Sequence, residues 1–348
     1  MENMKLMEYE PISMLVVDNR AVPKPKFAVF DIHTHLSGVN PEKGPGNIAK
    51  FVEMMGEYGV TRVVDLDGFY GKALENSLRA KEGFEDKVYT FCTVDLNTVE
   101  DADFEQKTRA ALIKAHGMGV RGLKFLKSVG LGYKTKDGKY LRPDDERLQV
   151  IWQTAAELKL PVLIHIADPK AFFTPLDVRN ERIEELAGNP SWAFTDPKYY
   201  RFDELMQMQE RMLCNNENTH FILAHVGNCA EDLGYVSGIL DRHENVSVDL
   251  AARIAELGRQ PYTARKFLMT YQDRVLFGTD DMYSPTKKEN PLLNNQMYYE
   301  FLETYNEYFV ANAFEQQGRW NIYGVGLPDE VLKKIYMGNA CRAIGIAE

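Results

Sequence analysis

The sequence has few cysteines, no long apolar run and no excess of basic residues, and each absence excludes a class of protein. Its 348 residues include only four cysteines, and none lies in a Cys-x-x-Cys pair, so a disulfide framework or a cysteine-rich zinc site is not expected. No stretch reaches the roughly 18–20 apolar residues that a membrane span requires. Lys and Arg number 41 against 51 Asp and Glu, a formal charge of −10, which disfavours a nucleic-acid-binding surface.

The beginning of the sequence lacks the features of an export signal. The segment from Met1 to Glu10 carries acidic residues and no apolar core, whereas a secretory signal needs a basic start and an apolar stretch. We therefore expect a cytoplasmic protein, or a periplasmic or secreted one if a leader has been removed.

Eight apolar segments of strand length alternate with amphipathic segments of helical length. They begin at residues 27, 61, 88, 120, 161, 219, 245 and 274. Strict alternation predicts crossover connections and a parallel sheet, and continuous apolar runs indicate strands that are buried on both faces. Eight such units in about 250 residues are typical of a (β/α)8 TIM barrel. We predict an α/β chain with an N-terminal extension, 1–26, and one barrel domain, 27–348.

Two aromatic-rich regions interrupt this alternation. Residues 167–202 follow the fifth strand, and because loops after barrel strands form the active-site mouth, we expect a lid or a pocket wall there, with a structural excursion as the alternative. Residues 281–326 should hold the eighth helix and an extra element. The aromatic residues within 298–314 could line the pocket or form the interface of a homo-oligomer, such as a dimer.

Polar side chains cluster at the carboxyl ends of the predicted strands. His33 and His35 are two apart on the first strand and therefore face the same side. The others are Lys124 on strand four, His165 on strand five, His225 on strand six and Asp280 on strand eight. Imidazole and carboxylate groups suit Zn²⁺ and related divalent ions. The pattern predicts a catalytic metal centre with one open position, holding Zn²⁺, or Mn²⁺ or Fe²⁺ as alternatives.

This ordered set resembles the amidohydrolase superfamily of metal-dependent TIM-barrel enzymes, in particular the amidohydrolase-related (amidohydrolase 2) branch that includes aminocarboxymuconate-semialdehyde decarboxylase. The resemblance spans about residues 27–346 and rests on Asp-Ile-His-Thr-His at 31–35, on the strand-end residues above, and on a closing segment at 334–342. It implies that one metal is held by His33, His35, His165 and Asp280. It also implies that His225 acts as general acid/base or steers the bound water, and Asp280 could take the proton from the attacking water.

Lys124 allows a second arrangement of the centre. Some members of the superfamily carry a carboxylated lysine on strand four that bridges two metals, and His225 would then become a ligand. Otherwise Lys124 binds substrate or pairs with Asp280. We favour the mononuclear centre.

Basic residues near the mouth indicate a small anionic substrate. Arg253 follows strand seven directly, and Lys124 and Lys127 lie on and after strand four; an arginine fork can grip a carboxylate at two points. Asn228 could donate hydrogen bonds to the substrate or cap the next helix.

Three functions fit this site. The first is hydrolysis of a C–N or C–O bond, as in an amide, lactone or ester, by metal-activated water. The second is non-oxidative decarboxylation, or another C–C cleavage, at the same metal. The third is a barrel that binds a ligand without catalysis. The sequence predicts neither a nucleic-acid nor a membrane partner.

Overall fold

The computed structural model describes residues 4–5, 8–9, 11–36, 48–283, 293–311 and 317–348. Within these ranges nine parallel strands form one sheet in the order β8-β7-β6-β5-β4-β3-β2-β1-β9. They are β1 (Val29–His35), β2 (Val60–Asp65), β3 (Val88–Cys92), β4 (Gly122–Phe125), β5 (Val162–Ile164), β6 (Phe221–Leu223), β7 (Val246–Asp249), β8 (Val275–Leu276) and β9 (Asp281–Met282).

The ring closes where the last two strands meet the first. β9 follows β8 closely in the chain and pairs with β1. Between β8 and β9, the Ile32 amide donates to the Phe277 carbonyl at 3.0 Å, and the Asp280 amide donates to the His33 carbonyl at 2.8 Å. The predicted α/β class and TIM barrel are therefore confirmed, with an eighth strand that is interrupted at 277–280.

Helices follow the strands as the alternation predicts. They are α1 (Ile48–Glu57), α2 (Gly71–Arg79), α3 (Phe104–Gly117), α4 (Ser128–Leu131), α5 (Gln149–Glu157), α6 (Ile183–Gly188), α7 (Phe202–Cys214), α8 (Ala224–Gly227), α9 (Leu233–Arg242), α10 (Ile254–Gly258), α11 (Pro261–Thr270), α12 (Leu293–Glu303), α13 (Asp329–Lys333) and α14 (Asn339–Ile344). α4 and α8 are single turns with irregular backbone angles. None of the helices in the described ranges is long and apolar enough to cross a membrane.

Apolar side chains of the strands alternate between two layers, as the two-residue period of a strand requires. Phe30 and Ile32 belong to a cluster that draws residues from most of the strands and fills the barrel. Val29 and Val63 belong to the larger layer between the strands and the helices. Residues of α14 join the inner cluster, so the barrel is a packed core and functional groups are left to its rim.

The two regions that interrupt the alternation contain short elements of their own, and the N-terminal segment contacts the second of these regions. Residues 167–202 form short helical pieces at 170–173, 183–188 and 190–192. In the second region α12 is the predicted eighth helix, and a bridge joins Phe309 to Ile322. The rest of that prediction, at 284–292 and 312–316, lies outside the described residues. The proposed 1–26 extension includes Asn19, whose amide nitrogen donates to the Glu307 carbonyl at 2.7 Å.

Candidate metal centre and pocket

Three of the predicted ligands meet at the carboxyl end of β1. Oδ1 of Asp280 lies 3.2 Å from Nε2 of His33 and 3.2 Å from Nε2 of His35. All three ligand atoms lie within 4.8 Å of one another. Ligands bound at about 2.0–2.2 Å in a tetrahedron stand about 3.3–3.6 Å apart, so this spacing fits one divalent ion with little movement.

A carboxylate orients each of the two histidines, and the one at His33 is fully buried. Nδ1 of His33 lies 2.8 Å from Oδ2 of Asp249, and Nδ1 of His35 lies 2.7 Å from Oδ1 of Asp67. A carboxylate at Nδ1 holds the proton there and turns the Nε2 lone pair toward the metal, as in many histidine metal sites. Sequence reasoning missed both acids, although Asp249 ends β7 and Asp67 follows β2.

The charge of Asp280 is favoured by its neighbours. Burial alone would raise the pKa of Asp280, but the charge of His33 and the hydrogen bonds from His33 and His35 lower it well below its usual value. Burial alone would lower the pKa of His35, but Asp280 and Asp67 raise it to about 9. In the metal-free protein a proton therefore occupies the position that a cation would take.

His165, the fourth predicted ligand, is suited to the metal because its imidazole is neutral and its Nε2 makes no aligned hydrogen bond to a described residue. It follows β5 and is mostly buried, and burial lowers its pKa to about 4, so the imidazole is neutral. Its Nε2 lies 3.3 Å from Oδ1 of Asp168 but is buried without an aligned hydrogen-bond partner in the described ranges. Because buried nitrogens are rarely left unpaired, this one is suited to a metal.

His225 lies on an unusual turn after β6. Residues 225–228 have φ values of 57°, 56°, 70° and 60°, and the Asn228 amide closes the left-handed turn by donating to the Ala224 carbonyl at 2.9 Å. Left-handed conformation costs most residues about 1–2 kcal/mol, and β-branched Val226 is among the least suited. Strain of this kind persists only where surrounding contacts enforce it.

Those contacts also fix the imidazole of His225. Its backbone amide donates to Oδ1 of Asp249 at 2.8 Å, and its Nδ1 donates to the Ala251 carbonyl at 2.8 Å. Nε2 is therefore an acceptor, and it lies 4.0 Å from Oδ2 of Asp280. Burial lowers the pKa of His225 well below its usual value, and the nearby charge of Arg253 lowers it further, so the group is a neutral base at the rim.

Asn228 ties the turn to β5. Its Oδ1 accepts from the Ile166 amide at 3.1 Å and the Ala167 amide at 3.4 Å, and its Nδ2 donates to Gln209 at 2.8 Å. The side chain is buried and is not among the residues that line the pocket described below. Its contacts position the turn, and its contact with a substrate or its cap on the next helix stays a prediction.

The two lysines occupy different environments. Lys124 is buried on β4, with Nζ 3.1 Å from Nε2 of His33, and burial lowers its pKa to about 8. Lys127 lies on the pocket wall, and its charge is paired with Asp168, an acid that sequence reasoning did not select.

A cavity of about 390 Å³ opens onto these groups. Its lining includes His165, His225 and Asp280, and the 167–202 region contributes Phe172 and Trp192. That region therefore forms part of the pocket wall. A cavity of this size is typical of a small-molecule site.

Arg253 supplies to this pocket a positive charge that no carboxylate of the described residues pairs with. It is buried, lines the cavity, and its Nη1 donates to the Ala252 carbonyl at 2.6 Å. Within the described ranges no carboxylate pairs with it, whereas the other two strongly basic pocket residues, Lys127 and Arg182, both have carboxylate partners. A buried cation without a counter-ion is costly, and a substrate anion would offset that cost.

Comparison with known proteins agrees with this geometry. The sequence model of the amidohydrolase family matches residues 31–346. No curated protein matches the chain. A solved structure of 2,6-dihydroxybenzoate decarboxylase with 2,6-dihydroxybenzoate is similar, with a TM-score of 0.55, 15% identity, and coverage of 92% of this chain and 100% of that one.

Two further structures cover both reaction classes. Dihydroxybenzoic acid decarboxylase from Polaromonas sp. JS666, with bound manganese and the inhibitor 2-nitroresorcinol, has a TM-score of 0.52, 14% identity, and coverage of 92% of this chain and 97% of that one. A candidate 2-pyrone-4,6-dicarboxylic acid hydrolase from Pseudomonas putida has a TM-score of 0.50, 12% identity, and coverage of 92% and 98%. At these identities the likeness establishes the fold alone.

Proposed function

Because the chain belongs to the amidohydrolase family, and is thus an enzyme, we propose that it is a metal-dependent hydrolase of a C–N or C–O bond in a small carboxylated substrate. Amide, lactone and ester bonds are the candidates. The observation that carries the proposal is the fixed tautomer of His225, whose acceptor Nε2 faces Asp280 across the pocket.

This tautomer favours hydrolysis over decarboxylation. Hydrolysis begins when a base removes a proton from water, and a neutral imidazole with a free Nε2 can take that proton. Decarboxylation requires a proton to be delivered to the carbon that loses CO₂. His225 holds its only ring proton at Nδ1, against the Ala251 carbonyl, so it has none to give at the outset. Once protonated at Nε2, it can pass the proton to the leaving group.

His33, His35, His165 and Asp280 would hold the metal. A divalent ion there lowers the pKa of a bound water toward neutrality and polarises the bond to be cleaved. Three imidazoles and one carboxylate suit Zn²⁺, and also Mn²⁺ or Fe²⁺. Asp249 and Asp67 keep the two β1 imidazoles in the binding tautomer. We propose one ion; the alternative is a second ion bridged by carboxylated Lys124.

Arg253 is the proposed anchor for the substrate carboxylate. A guanidinium binds a carboxylate at two points, and Phe172, Trp192 and Tyr298 offer apolar walls to the rest of the molecule. With the charge of Lys127 already paired to Asp168, we propose one anionic group on the substrate. Asn228 is assigned a positioning role, on the basis of its contacts.

The test is turnover of a panel of carboxylated lactones, amides and arylcarboxylates in ¹⁸O-labelled water, with protein loaded separately with Zn²⁺, Mn²⁺ or Fe²⁺. We expect ¹⁸O in the product of one substrate class and a strongly raised KM in Arg253→Met. Release of CO₂ without ¹⁸O incorporation would replace the proposal with decarboxylation. If none of the three ions binds to the protein, the proposal that it is a metal-dependent enzyme is wrong. If an ion binds but no substrate of the panel is turned over, the protein is a barrel that binds a ligand without catalysis.

A further inference from the structure

Arg182 is a buried arginine of the 167–202 region that holds two carboxylates. Its Nη1 donates to Oε2 of Glu185 at 2.6 Å, and its Nη2 donates to Oε1 of Glu256. The guanidinium also lies over the rings of Phe172 and Trp320, 5.9 and 5.6 Å from their centroids. Arg182 and Glu256 are almost fully buried, so solvent screens this pair little. The contacts join the pocket wall to α10.

Glu256 shares a helical turn with Arg253. Arg253 is the N-cap residue of α10, and Glu256 is the third residue of the helix. Side chains three apart on a helix are neighbours, and opposite charges at this spacing commonly pair. Here Arg253 makes no ion pair with any described carboxylate, and Glu256 bonds to Arg182 instead. The second oxygen of Glu256, Oε2, is buried without a described hydrogen-bond partner, so this acid has capacity for another cation.

We propose that Arg182 is a positioning residue that keeps Arg253 available for the substrate carboxylate by holding Glu256 away from it. The inference rests on the proposed role of Arg253 as the anion anchor. Without Arg182, Glu256 would be a buried anion with no partner, which is strongly unfavourable. The guanidinium of Arg253, on the same turn and without an ion pair to any described residue, would pair with Glu256 and would then no longer bind a substrate.

Binding of two matched probes tests this without knowledge of the natural substrate. Benzoate and benzamide have the same ring and nearly the same size but differ in charge. Their affinities for the full-length protein loaded with Zn²⁺ are measured by calorimetry. The variants are Arg182→Met, Arg182→Met/Glu256→Gln, Arg182→Met/Glu185→Gln, Glu256→Gln and Arg253→Met. Arg179→Met is the control, because Arg179 belongs to the same region but is exposed, and its one ion pair among the described residues is with Asp177.

We expect the wild type, Arg179→Met and Glu256→Gln to prefer benzoate by about tenfold or more, as a charge-assisted hydrogen bond predicts. Arg182→Met should lose most of this preference with little change in benzamide affinity. Adding Glu256→Gln should restore it, because the competing carboxylate is gone. The double variant also removes the buried charge of Glu256, the more deeply buried of the two acids that Arg182 holds, so it should fold even if Arg182→Met does not.

Several results would overturn the inference. A double variant Arg182→Met/Glu256→Gln without benzoate preference would mean that Arg182 itself binds the anion. Full preference in Arg182→Met would mean that Glu256 does not compete. If Arg182→Met/Glu185→Gln regains the benzoate preference as fully as Arg182→Met/Glu256→Gln does, the effect depends on the total charge of the pocket and not on Glu256. If instead the wild type shows no preference, or Arg253→Met retains it, the proposed anchor fails, and the inference fails with it for that separate reason.

Discussion

Replacing Asp249 by Asn tests whether the carboxylate beneath the site sets the metal-binding state of His33. The change is isosteric, and Asn Oδ1 can still accept from the His225 amide at 2.8 Å and the Ala251 amide at 3.1 Å. Only the 2.8 Å contact with Nδ1 of His33 is altered. An amide Nδ2 placed there donates a proton, so Nδ1 must become the acceptor. The ring proton then moves to Nε2, the atom that faces Asp280.

The magnitude follows from burial. Loss of such an outer carboxylate typically costs 10–100-fold in metal affinity, or about 1.4–2.7 kcal/mol. Asp249 has no exposed surface, so no water can replace the lost acceptor, and we expect a loss of about 100-fold. Asp67 makes the equivalent contact with Nδ1 of His35, but the side chain of Asp67 is 16% exposed. Asp67→Asn should therefore cost about tenfold, near the lower end of the same range.

The assay is a titration of the metal-free protein with Zn²⁺ in competition with a chelator, together with the metal content of the saturated protein. Asp177→Asn, a change at an exposed acid of the 167–202 region, is the control and should leave the affinity unchanged. The melting temperature of each variant separates loss of metal from loss of fold. A folded Asp249→Asn protein with wild-type affinity for Zn²⁺ would refute the reasoning.

Four other predictions follow from the structure. His225→Asn should keep about one metal per chain while turnover falls about 10²–10⁴-fold; loss of one of two bound metals would instead support a centre bridged by Lys124. Zn²⁺ binding to the metal-free protein should release the proton of His35, whose pKa is about 9, so affinity should rise about tenfold per pH unit up to that value; a titration from pH 7 to 9.5 that shows no slope would contradict this. The same pKa lies above the unfolded value of 6.5, so the contribution of His35 to the stability of the metal-free protein is full below pH 6.5 and is lost as the pH rises through about 9. Gly227→Ala should destabilise the fold by about 1–2 kcal/mol in urea denaturation, because φ is +70° and the new Cβ would lie 3.3 Å from Cγ1 of Val236; Gly117→Ala, with open space and ordinary φ, should not destabilise it.

The barrel was predictable because its strands are buried on both faces. All eight predicted strand starts lie within two residues of the observed ones, since continuous apolar runs leave little ambiguity about where a strand enters the core. β9 and α10 were missed. β9 has two residues and α10 has five, too few to show a hydrophobic period.

The metal ligands could be predicted from the sequence, whereas the residues that orient them and the other pocket side chains could not. His33 and His35 share a face by the period of a strand alone, and barrel topology brings strand ends together. The contact of Asp249 with His33 joins residues 216 apart in the chain. The hydrogen bond between Arg182 and Glu256 joins residues that are 74 positions apart in the chain. Pairings of this kind depend on the closed barrel, and no local pattern indicates a left-handed turn that contains Val226.

Asp249 couples the two halves of the proposed chemistry. One of its oxygens fixes the tautomer of the ligand His33, and the other holds the backbone of His225 in its strained conformation. Loss of both oxygens in Asp249→Ala should therefore alter metal affinity and the position of the base together. Asp249→Asn, which keeps the acceptor for the His225 amide, and Asp67→Asn should alter metal affinity alone. If excess Zn²⁺ restores turnover to Asp67→Asn and Asp249→Asn but not to Asp249→Ala, the second oxygen of Asp249 has a role of its own. Equal restoration would mean that the left-handed turn holds His225 in place without this carboxylate, through the contacts of Asn228 and the Ala251 carbonyl.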